Sequence, residues 1–197
     1  MTLTLNKGFW LPLGGGGGDD DDMIFISKST ASSSASLEIT SGIDSPYDHY
    51  RIVINGAQPA TDAANLECQF STDGSSYAMN VASAIWYSQN TGTAILSAWA
   101  SESKTNTNTG MNTISGSTGN DSTHSMSGWL DLYNPASTSL HKICQSNTDA
   151  SQQSDGVTGL RADMIIFSTS AVSAVKFAFS SGNIAAGDFI LYGYKNS

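Results

Sequence analysis

Histidine titrates nearest to neutral pH, so His49, His124 and His141 are where a search for catalysis begins. His49 lies beside Asp48, with Asp44 four residues before that. A Ser-His-Asp triad is defined by geometry and roles, and neighbouring positions in a chain do not establish it. Serine is so frequent here that one close to a histidine carries no information. The sequence contains no GxSxG elbow, HExxH helix or GxxxxGK[ST] loop. Glycosidase chemistry would need two carboxylates facing each other across a cleft. Asp62, Asp73, Asp121, Asp149 and Asp155 read as isolated turn residues. Asp131 and Asp163 fall within strand-like runs, where they would face solvent or a subunit contact, and neither has a partner recognisable in the sequence. The run Asp19 to Asp22 lacks the alternating ligands and glycine turn of a calcium loop. Cys68 and Cys144 sit in apolar-alternating runs without a CxxC spacing, which favours reduced thiols packed as small hydrophobes. The reading is therefore a protein without catalytic residues, cofactor or metal.

Chemistry of another kind sits at the start of the chain. Leu3, Leu5, Phe9, Trp10, Leu11 and Leu13 form an apolar arm too short to make its own core. Gly14 to Gly18 follow, a tether with almost no preferred conformation. The four aspartates after them repel one another and stay hydrated. A sticky segment on a hydrated leash is suited to docking on another surface, and the six arm residues are the candidate partner-docking site. The alternation Thr2-Leu3-Thr4-Leu5 would also suit addition as a strand.

The elements behind the arm are short alternating runs. Leu37 and Ile39 alternate with polar neighbours, and Tyr50, Ile52 and Ile54 alternate with Arg51, Val53 and Asn55; the pattern recurs at Leu66, Cys68 and Phe70, at Val175, Phe177 and Phe179, and at Phe189 and Leu191. Period-two alternation marks strands with one buried face. Further runs at Met23 to Ile26, Tyr77 to Tyr87, Ala94 to Trp99, Met126 to Tyr133, Leu140 to Gln145 and Met164 to Phe167 bring the expectation to nine or ten strands. Turn clusters such as Asp73-Gly74, Asn134-Pro135 and Gly182-Asn183 separate them. The predicted fold is all-β, a jelly-roll-like antiparallel β-sandwich over residues 23–197, with residues 1–22 as arm and tether. Ser101 to Thr123 and Asn147 to Gly156, rich in Ser, Thr, Asn and Gly, read as long exposed loops. The rings of Trp86, Tyr87, Trp99, Trp129 and Tyr133 read as core or intersubunit packing rather than as sugar platforms.

Eight Lys and Arg against seventeen Asp and Glu give a formal net charge of −9, and the cations are scattered, which argues against nucleic-acid binding. No apolar run approaches the roughly 18 residues of a membrane span. With 39% hydrophobic residues the chain holds enough for a two-layer β core.

The body also resembles a family of tailed-bacteriophage virion proteins. The likeness begins near Ile24, in a Ser/Ala-rich strand leading to Ser41-Gly42-Ile43-Asp44 and Tyr47-Asp48-His49-Tyr50. It continues through Cys68 to Tyr77, Ser127 to Pro135 and Ser180 to Gly193, in the family's order. The resemblance implies β-sandwiches that form trimers on phage surfaces, and it brings no catalytic residues. A compact knob with a short arm fits a capsid decoration, or cement, protein better than a fibre, which needs a stalk or a tail-attachment domain. The expectation is a homotrimer on the virion surface, assembled in the host cytoplasm and bound to other virion proteins, the major capsid protein foremost. The alternative is the receptor-binding tip of a tail fibre, with the two long loops contacting host surface glycans, or another structural role in the tail.

Overall fold

A computed structural model describes residues 23–44, 46–90, 95–99, 109–153 and 155–195, with 95–99 described by the backbone alone. Leu3, Leu5, Phe9, Trp10, Leu11 and Leu13 lie outside the described residues. The chain forms β1 (Met23–Ser34), β2 (Leu37–Ile39), β3 (His49–Pro59), β4 (Leu66–Ser71), β5 (Val81–Asn90) and β6 (Ile95–Trp99). It continues with β7 (Asn112–Thr113), β8 (Met126–Tyr133), β9 (Lys142–Ser151), β10 (Val157–Ile166), β11 (Ala174–Phe179) and β12 (Ile184–Tyr194). No helix occurs among the described residues.

The strands build two antiparallel sheets, ordered β1-β12-β3-β8-β9-β10-β5-β6 and β2-β11-β4-β7. Eight strands pair as β1-β12-β3-β8 over β2-β11-β4-β7, an order that matches two Greek keys, and along the chain they switch sheets at every step except from β4 to β7. Two hairpins are added to this frame. β5–β6 is inserted between β4 and β7, β9–β10 between β8 and β11, and both widen the large sheet.

The inner faces carry the alternating residues. Tyr50, Ile52, Ile54, Leu130, Leu132, Phe189 and Leu191 come from the large sheet, and Leu66, Phe70, Val175 and Phe177 from the small one. Phe177 meets Phe189 across the layers with ring centroids 4.9 Å apart. The Tyr50 hydroxyl donates to the Asp44 carbonyl, tying the β2–β3 connection to the core. Cys68 and Cys144 are buried free thiols, and burial pushes both well above the ordinary thiol range. Lys142 is fully buried, and its ammonium donates to the carbonyls of Leu140 and Ser168, 3.1 Å to each. Burial lowers its pKa, and the two acceptors keep the group satisfied while joining the loops before β9 and after β10.

Two expected exposed loops are loops only in part: Asn120 to Thr123, Gln153 and Asp155 are exposed outside any strand, but other described residues are buried or lie in strands. Of Ser101 to Thr123, residues 101–108 lie outside the described residues, but Asn112 to Ser115 are buried and include β7. Ile114 donates its amide to the Leu66 carbonyl at 2.9 Å, the Ser115 hydroxyl accepts from the Leu66 amide at 2.7 Å, and Thr118 bridges to Ala64. In Asn147 to Gly156, the first five residues complete β9, with Thr148 and Ala150 facing inward. The Thr148 hydroxyl donates to the Ile114 carbonyl at 2.6 Å. Small hydroxyl side chains whose polarity is met by neighbouring backbone occupy core positions without the penalty of an unpaired polar group. The run Tyr77 to Tyr87 is also shorter as a strand, since β5 starts at Val81.

Turn chemistry behaves as the residue types dictate. The Asp73 carboxylate accepts the backbone amides of Ser76 and Ser75 and the Ser71 hydroxyl, which hold it below the usual carboxylate range. At Gly128, φ is +154°, and a Cβ would lie 2.2 Å from the Asn147 carbonyl oxygen on the adjacent strand. Only glycine lets β8 approach β9 there.

Candidate interaction face

The large sheet has a second face, turned away from the small sheet, and register fixes what it displays. Residues directly opposite on neighbouring strands point the same way. One row crosses seven strands through Met23, Tyr194, His49, Tyr133, Ile143, Ile165 and Ala82. The next runs through Phe25, Tyr192, Arg51, Asp131, Gln145, Asp163 and Ala84. A third holds Lys28, Ile190, Val53, Trp129, Asn147, Arg161 and Trp86.

Exposure concentrates on this face. The exposed large hydrophobic residues among those described are Met23, Phe25, Trp86, Trp129, Leu140, Ile143, Val157 and Ile165, and all but Leu140 belong to it. Ile143, Ile165 and Met23 keep 53%, 43% and 42% of their surface open, although all lie in strands of an eight-stranded sheet. A shallow cleft of about 470 Å³ is lined by Ala82 and Ala84 with Ile143, Ile165, Arg161 and Asp163. The small alanines on β5 leave its space.

At the centre lies a polar cluster assembled from β3, β8 and β12. Arg51 donates through Nε and an Nη nitrogen to the two Asp131 oxygens, 2.7 Å each, a bidentate pair. The guanidinium lies 5.2 Å above the Trp129 ring and 5.6 Å from that of Tyr194. The His49 ring is stacked between Tyr133 and Tyr194, with centroids 4.5 and 4.2 Å away, and its Nε2 is 3.1 Å from Asp131 Oδ1, off the line of a hydrogen bond. Burial pushes the Asp131 carboxyl upward, but the Arg51 hydrogen bonds and then His49 outweigh it, and the group sits below the usual carboxylate range. Its bond to Asp131 raises Arg51 further above its ordinary value. The carboxylate's acceptor capacity is thus directed at neighbours within the sheet, and the cluster acts as a rivet across it.

Several residues singled out in the sequence are relocated by this geometry. Asp131 and Asp163 both have partners, contrary to expectation. Asp163 accepts from Arg161 at 2.9 Å and from Gln145 at 2.8 Å. His49 approaches Asp131 on the neighbouring strand β8, far from it in sequence. His124 is buried 3.2 Å from the exposed Asp155. Trp86 and Trp129 are open on the outer face, Tyr133 is the stacked ring against His49, and the Trp99 side chain lies outside the described residues. Tyr87 points inward to a second cleft of about 260 Å³ beside Ile85, Thr113 and Ser115. There, Gln89 donates to Gln152 at 2.9 Å and Gln152 to Thr158, so these polar groups bind one another.

No group of His, Cys, Asp and Glu suited to holding a metal occurs among the described residues. No protein-family model matches the chain, and no curated protein or solved structure does so either.

Proposed function

We propose that this chain is a non-enzymatic structural protein of a tailed-phage virion, a capsid decoration protein that docks on the head through its N-terminal arm. The observation that carries the reading is where arm and body join. Residues 1–22 meet the fold at Met23, the first residue of β1, and β1 is an edge strand of the large sheet. Among the described residues no strand pairs with the outer side of β1, so an arm that leaves at Met23 starts beside backbone groups that an added strand could pair. The proposed partners are further copies in a homotrimer and the major capsid protein beneath. The tail-fibre alternative relies on two runs for glycan contact; of these, Asn112–Thr113 and residues 147–151 are strand, while Asn120 to Thr123, Gln153 and Asp155 are exposed outside any strand.

The test is location. Antibody labelling of intact phage particles whose genome encodes this chain is expected to cover the head. Label confined to the tail would refute the reading.

A further inference from the structure

We infer that the outer face of the large sheet is a self-association surface, whose occupant is a second copy of this chain. It deepens the homotrimer of the proposed reading by naming the face through which copies meet, while its observations do not depend on a virion. It rests on three properties of the face.

The first is its apolar row. From β1 to β5 every outward residue in the row of Met23 and Ile143 is apolar or aromatic except His49, and that ring is covered on both sides by tyrosines. Monomers rarely leave so wide an apolar band in water.

The second is charge. The chain carries −9, so two copies repel unless they meet where that charge is absent. On this face Lys28 pairs with Asp188 at 2.8 Å, Arg51 with Asp131 at 2.7 Å and Arg161 with Asp163 at 2.9 Å. Asp149 is the one further charge in the outward rows of the described strands. Three cations therefore meet four carboxylates, a surface close to neutral on an acidic protein. A basic partner would find no acidic field to steer it here, whereas another copy finds no opposition.

The third is size. Strands about 4.8 Å wide and outward rows about 6.8 Å deep make seven strands by four rows roughly 34 Å by 27 Å. That matches the ~800 Å² per partner of a standard interface. The cleft over Ala82 and Ala84, beside the ridge of Ile143 and Ile165, gives the surface relief into which a large side chain fits.

Sedimentation velocity on the purified full chain tests this. The parent is expected to sediment above the 20.6 kDa monomer at micromolar concentration. Ile143→Glu should raise the dissociation constant roughly tenfold or more. The paired variant Ile143→Thr with Ile165→Thr keeps β-branching and introduces no like charges, so it covers the case in which glutamate disturbs the strand. Leu140→Glu, at the exposed apolar residue off the face, should change nothing. A monomeric parent would overturn the inference. So would an oligomer that survives both face variants, or one dissolved by removal of residues 1–13 while the face variants leave it intact.

Discussion

Removing residues 1–13 is expected to abolish incorporation of the protein into particles, with bound copies falling by roughly 100-fold or more. The segment contains six large apolar side chains, each giving about 1.5–3 kcal/mol on full burial. Ordering the segment costs about 1–2 kcal/mol per residue in backbone entropy, so a single arm binds marginally. Strand pairing and several arms on one oligomer make docking effective, since each bound arm holds its neighbours at high local concentration. Deletion removes all of these terms together while every residue of β1 to β12 is kept. Quantifying the chain on purified particles, with and without the segment, checks the expectation. The same particles should lose part of their tolerance to heat and osmotic shock. Full incorporation of the truncated chain would show that the body alone docks.

The second large effect lies in the sheet. Asp131→Asn removes the charge that Arg51 grips at two points while conserving shape. Breaking a buried pair from one side costs about 3–5 kcal/mol. Arg51 keeps some access to water, which places the expected loss near the lower end, about 3 kcal/mol, or roughly 6–12 °C in melting temperature for a body this size. The sign of the pH dependence follows from the depressed carboxyl. Unfolded aspartate titrates near ~3.9, so the stabilisation is fully present above that pH and is lost as pH falls through the lower folded value. The parent and Asp131→Asn should therefore differ most at neutral pH and converge in acid. Denaturant melts at pH 7 and pH 3 measure this, and an equal gap at both would remove Asp131 as the cause.

Much of the architecture was legible because its signals are hydrophobic. β8 has the bounds that the sequence predicts, Met126 to Tyr133, since its alternation runs into Asn134-Pro135 and the backbone turns at Asn134 with φ +49°. The inward sides of β3, β4, β11 and β12 follow from Tyr50, Leu66, Phe177 and Phe189 and their neighbours at period two. The second half of β9 and the stretch around β7 were not legible. Thr148, Asn112 and Ser115 look like loop residues until the backbone groups that satisfy them are known. The outer face was hidden for a different reason. Ile143 and Ile165 are as apolar as the core residues beside them, so alternation cannot say which side is wet. The Arg51–Asp131 pair joins residues eighty positions apart, whereas Arg161 and Asp163 share one strand two residues apart. Only register across seven strands places these groups on one surface.

In the proposed reading the arm is what docks the protein on the particle. Hydrogen exchange at the amides of residues 1–13, compared between the purified protein and the same protein on the particle, tests it directly. The account predicts exchange at unprotected rates in the free protein and protection by a hundredfold or so once docked. Protection already complete in the free protein, or none gained on the particle, would contradict it.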